Sequence, residues 1–153
     1  MKEKRDAISR LENASLSFLS SIDVDGVLDA ALFLRRTGSV LASWTRHDVP
    51  VEILSVMTAT MLASIETITE TLGGPQWQSV AVDAGGRRFS AARIGPQALL
   101  VLIAPKKVSA SYLRNATMEI AAQLVAASDL PVRQTRNGEK ASVTATTRPT
   151  RRR

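Results

Sequence analysis

Thirteen consecutive residues without a charge, Ile53 to Ile65, constrain this 153-residue chain more than any other stretch. They lie inside a segment whose spacing predicts one helix from Pro50 to Leu72. Asp48 and Pro50 supply start signals, an acceptor side chain and a residue that needs no N–H partner. Glu52 puts negative charge in the first turn, where the helix dipole favours it. Gly73, Gly74 and Pro75 end the segment, since glycine suits the left-handed cap and proline cannot continue a helix. Leu54, Met57, Met61, Ile65, Ile68 and Leu72 share one face at helical spacing and are expected against a core.

The opposite face carries Val56, Ala59, Thr60, Ala63 and Thr67. A helix covering one side of a soluble domain shows charge on its far side. Small uncharged residues there permit another helix to approach closely. That face is therefore expected to be covered as well, most simply by the same helix of a second copy. The alternative is an Ala- and Thr-rich face wetted by solvent. The uncharged run is shorter than the roughly 20 residues a membrane span needs, which argues against that reading.

Around this helix the chain alternates short elements. A first helix is expected from Arg5 to Ile22, with Ile8, Leu11, Phe18, Leu19 and Ile22 on one face. A turn at Asp23 to Gly26 leads to a strand at Val27 to Arg35, and a turn at Arg36 to Ser39 leads to a second at Val40 to Trp44. After the central helix come strands at Gln78 to Asp83, Arg87 to Ile94 and Ala98 to Ala104. The unbroken apolar run Leu99 to Ile103 marks the last as a central strand covered on both faces. Ser109 or Ser111 caps a last helix to about Ser128, with Leu113, Thr117, Ile120 and Leu124 inward. Short turns make neighbouring strands antiparallel, so the fold class is α+β with one sheet and helices on its faces.

Charge divides the chain in two. Residues 1–130 hold thirteen Lys/Arg and thirteen Asp/Glu, a sum of zero. Residues 131–153 hold seven Lys/Arg against Glu139 alone, so the whole net charge of +6 belongs to the tail. The tail has no aromatic residue and few large aliphatics, and is expected to be disordered, leaving 1–130 as the folded domain. Arg148, Arg151, Arg152 and Arg153 suit an anionic membrane or an acidic partner, each basic residue near such a membrane contributing about 1 kcal/mol. The absence of aromatics argues against specific nucleic-acid binding by base stacking. The alternative is a solubilising tail.

Parts for catalysis are scarce. His47 is the only histidine and there is no cysteine, so zinc chemistry has too few ligands and no disulfide can form. No serine sits in a nucleophile-elbow pattern with His and Asp partners. Asp23, Asp25 and Asp29 lack the terminal glutamate of a calcium loop. Gly85 and Gly86 join two strands and read as a hairpin turn, not a phosphate cradle. Trp44 and Trp77 read as core edges that can also border a partner surface. Arg35, Arg36, Arg87, Arg88, Lys106 and Lys107 lie at turns or strand ends and read as solvated charge. No cofactor and no enzymatic activity are expected. With no signal peptide visible after Met1, a cytoplasmic location is expected.

Three local patterns resemble the Roadblock / dynein light chain family, in its prokaryotic MglB-like GTPase-regulator type. They are Asp25 to Val27 leading through Ala30 to Leu34 into Thr37 to Ala42, the Ala- and Met-rich helix around Met57 to Ile65, and Gly85 to Phe89 followed by Ile94 to Leu102. The resemblance covers about Leu16 to Ala127. It implies a five-stranded antiparallel sheet with the middle helix on one face and the first and last helices on the other. It further implies a homodimer built by the middle helices and the third strands, and a non-enzymatic scaffold or regulator of a small Ras-like GTPase. The interface residues so implied are Ile53, Val56, Ala59, Thr60, Ala63 and Thr67 on the helix, and Val80 and Val82 on the third strand. That strand lacks the Lys or Pro that blunts an exposed edge. The alternatives are a small-molecule sensor domain of PAS, GAF or longin-like shape, which would need an internal pocket, and a protein that associates with membrane or nucleic acid through its basic tail.

Overall fold

The computed structural model describes residues 2–21 and 27–128. The expected turn at Asp23 to Gly26, Ile22, the side chains of Ile8 and Leu19, and the tail at 131–153 lie outside the described residues. The elements are α1 (Lys2–Ser21), β1 (Ala30–Arg35), β2 (Val40–Thr45), α2 (Val51–Thr71), β3 (Ser79–Ala84), β4 (Arg87–Ile94), β5 (Ala98–Pro105) and α3 (Ala110–Ser128). Every predicted element is present. The largest shifts are of three residues: β1 begins at Ala30, after the predicted Val27, and α1 at Lys2, before the predicted Arg5.

All strand pairs are antiparallel, in the order β2-β1-β5-β4-β3. The apolar run 99–103 does occupy the middle strand, where neighbours on both sides and both faces exclude water. Its side chains alternate between two cores. Leu100 and Leu102 join Ala31, Phe33 and Ile94 under α1 and α3, with Leu11, Leu113, Ala121 and Leu124 supplied by the helices. Leu99, Val101 and Ile103 join Leu32, Leu34 and Ala91 under α2, with Leu62 as the one large α2 side chain among the buried residues. Thus α1 and α3 share one face and α2 has the other, as the fold class required.

Caps follow from the residue types. Ser109 accepts a hydrogen bond from the Tyr112 amide (3.2 Å) and so starts α3. Gly73, at φ +69°, lets its amide reach Glu70 O (3.0 Å) while the Gly74 amide reaches Thr69 O (2.9 Å), a complete Schellman end for α2. The α2 start differs from expectation. Pro50 is the N-cap with no side-chain hydrogen bond, and Asp48 takes no part.

Candidate interaction surface

The central helix is turned relative to the expectation. The residues packed on the sheet are Ser55, Thr58, Ala59 and Leu62, all but Leu62 small or polar. Of the stripe expected in the core, Leu54, Met61 and Ile65 are half-buried along its flank, while Met57, Ile68 and Leu72 are exposed at 64%, 59% and 80%. The correction has a steric cause. Gly38, in the β1–β2 turn, lies so close that an added Cβ would stand 3.1 Å from Val56 Cα and 3.4 Å from Ala59 Cβ. So close a fit favours a small helix residue against the turn, and Ala59 takes that place while the bulky stripe lies to the side and outward.

The outer side of α2 therefore carries large apolar side chains as well as small ones. Ile53 and Val56 are 66% and 53% exposed. Thr60, Ala63 and Thr67 are exposed beside them. Ala59, expected on this face, is instead buried in the chain's own core and has no surface to give a partner. By length and composition α2 is long and apolar enough to cross a membrane, although its uncharged run is only thirteen residues. Its inner row is nevertheless packed on the sheet.

The sheet edge opposite β2 is the strand β3. Val80 and Val82 are half-buried on the α2 side of the sheet, opposite Ala91 and Phe89. The two sheet edges differ. In β2 the register slips between Phe33–Ala42 and Leu34–Val40, leaving Leu41 as a bulge, whereas β3 pairs residue for residue along its whole length. A bulged edge is a poor template for another strand, and a regular one is a good template.

The polar cluster nearest the face was not foreseen. Glu66, on the inner flank of α2, is ion-paired with Arg36 of the β1–β2 turn and with Arg93 of β4 (2.8 Å). The Arg93 guanidinium lies 4.8 Å from the Trp77 ring centroid, and Arg36 also donates to the Pro96 carbonyl (3.5 Å). The hydrogen bond from Arg93, opposed by desolvation and helped by the charges of Arg93 and Arg36, holds the Glu66 carboxyl below its usual value of 4.5. No sequence signal pointed here, because Glu66 falls at helical spacing after Ser55, Ala59 and Leu62, a row that only the structure shows to be the buried one.

Other singled-out residues stand apart from this surface. Arg88 is paired in fork geometry with Asp83 (2.6 and 2.9 Å), and Arg87 approaches Asp29 (3.5 Å). Arg46 lies over Trp44 (5.8 Å) and donates to Leu28 O (3.0 Å). His47, Lys106 and Lys107 are exposed. Among the described residues no three His, Cys, Asp or Glu side chains converge as a metal site would require.

No family model matches the sequence, and no curated protein matches it. Solved structures match it well. The gliding protein MglB of Thermus thermophilus superposes with a TM-score of 0.61 at 19% identity, over 82% of this chain and 90% of that one. An MglB in a tetrameric arrangement gives 0.62 at 20% identity, over 80% and 88%. The Roadblock/LC7 domain of Streptomyces avermitilis gives 0.59 at 13% identity, over 64% and 82%. A five-stranded antiparallel sheet with α2 on one face, α1 and α3 on the other, and a regular β3 edge is thus the Roadblock/MglB-like fold.

Proposed function

We propose that the chain is a non-enzymatic homodimer that binds a small Ras-like GTPase and modulates or localises it. The observation carrying the dimer is the arrangement of the outer α2 face. Met57 and Ile68 are equidistant from the midpoint between Leu62 and Ala63, and so are Ile53 and Leu72. Two copies of α2 crossing antiparallel at that midpoint set Met57 against Ile68 and Ile53 against Leu72. Such self-complementarity is what a two-fold interface requires. Thr60, Ala63 and Ser64 lie between these pairs and are small enough for close approach at the crossing. Val80 belongs to the core layer beneath α2, so one two-fold axis normal to the sheet serves the helix face and the β3 edge together.

The GTPase is supported by the fold and by the sequence resemblance to GTPase regulators. In this reading the dimer supplies binding and positioning, and hydrolysis uses the GTPase's own residues, magnesium and nucleotide. Two measurements test the proposal separately. Solution molar mass is expected to give a dimer for the intact chain and a monomer for Val56→Glu, because a carboxylate desolvated there has no partner. A monomeric intact chain at high concentration sinks the dimer. Pull-down with the small GTPase encoded nearby is expected to succeed in at least one nucleotide state. Failure in both sinks the partner.

A further inference from the structure

The rotational setting of α2 is not what apolar burial alone would choose. Its most regular apolar stripe, Leu54, Met57, Met61, Ile65, Ile68 and Leu72, points to the side, and the sheet receives Ser55, Thr58, Ala59, Leu62 and Glu66 instead. At about 100° per residue, the centre of the stripe lies roughly 100° around the helix from the centre of the buried row. Two features hold the observed setting. One is the close fit of Gly38 against Val56 and Ala59. The other is Glu66, whose carboxylate joins Arg36 of the β1–β2 turn to Arg93 of β4. The Glu66 side chain is 14% exposed, so its partners cannot be replaced cheaply by water.

The geometry points to Glu66 as the positioning residue that keeps the self-association face outward. With the carboxylate in place, Met57 and Ile68 remain on the surface. Without it, the fit at Gly38 alone does not hold the helix against its apolar stripe: α2 rolls so that the stripe takes the sheet, Met57 and Ile68 leave the surface, and Ser55 emerges. This rests on the dimer proposed above, since the face matters only if a second copy uses it, but the roll itself is a property of one chain. The ion-pair partners of Glu66 belong to the β1–β2 turn and to β4, not to the outer face. Its effect on self-association passes through the orientation of the helix.

The chain has no cysteine, so a single introduced thiol reports on one position. Ser55→Cys and Met57→Cys are each placed, in a monomeric Val56→Glu background, with Glu66 intact and with Glu66→Gln. Glu66→Gln is expected to raise the labelling rate at Ser55→Cys by about tenfold or more and to lower the rate at Met57→Cys. Both changes together support the roll. Unchanged rates at both sites overturn it. Faster labelling at both sites, or at Ser55→Cys alone, also overturns it, since that is a loosened helix and not a turned one. If Glu66→Gln does not fold by circular dichroism, Arg36→Gln removes one arm of the pair and carries the same expectations. Molar mass of the intact chain tests the dimer by itself, so either idea can fail without the other.

Discussion

Gly38 is a residue whose replacement the fold tolerates poorly. Its φ of +92° disfavours any L side chain, and an added methyl would meet α2 backbone at 3.1 Å. Gly38→Ala is expected to destabilise the chain by about 2 kcal/mol, read as a lower urea midpoint with an unchanged slope. Glu66 gives a pH-dependent prediction. Its folded pKa is depressed, so its contribution is present above the unfolded value near 4.5 and lost as the pH falls through the folded value. Wild-type stability is therefore expected to fall more steeply below pH 4.5 than that of Glu66→Gln, and equal slopes in urea titrations would contradict this.

Among the elements, α2 and β3 carry the proposed surface, and they were legible in the sequence to different depths. The end of α2 and its lack of charge could be read from Gly73, Gly74 and the run Ile53 to Ile65. Which residues faced which way could not. Periodicity gives a stripe and its width, but a neighbouring turn decides where the stripe points, and Gly38 is far from α2 in sequence. The β3 edge was foreseen from the resemblance and from its lack of Lys or Pro. Its advantage over β2 came only from the ladder, where β2 is bulged at Leu41 and β3 is not. Ala81→Lys on β3 is accordingly expected to weaken dimerisation by about tenfold in sedimentation, and Ser43→Lys on β2 to leave it unchanged.

For the whole molecule, the separation of charge between body and tail is the organising fact. Residues 1–130 sum to zero and residues 131–153 carry +6. Removing 131–153 is expected to leave the thermal midpoint and the molar-mass class of the body unchanged. Binding to anionic vesicles, if the tail provides it, is expected to disappear with the deletion and with added salt. A thermal midpoint that does not rise with protein concentration would contradict self-association of the body.

The sequence by itself determined the order of the elements, the central place of 99–103 and the hairpin at Gly85 and Gly86. These follow from local rules of period, cap and turn, which act over a few residues. The tertiary structure decided how α2 is turned, which edge of the sheet is regular, and that Glu66 stands between two arginines. Each of those depends on groups far apart in the chain, Gly38 with Ala59 and Arg36 with Arg93, whose meeting is fixed only once the sheet has formed.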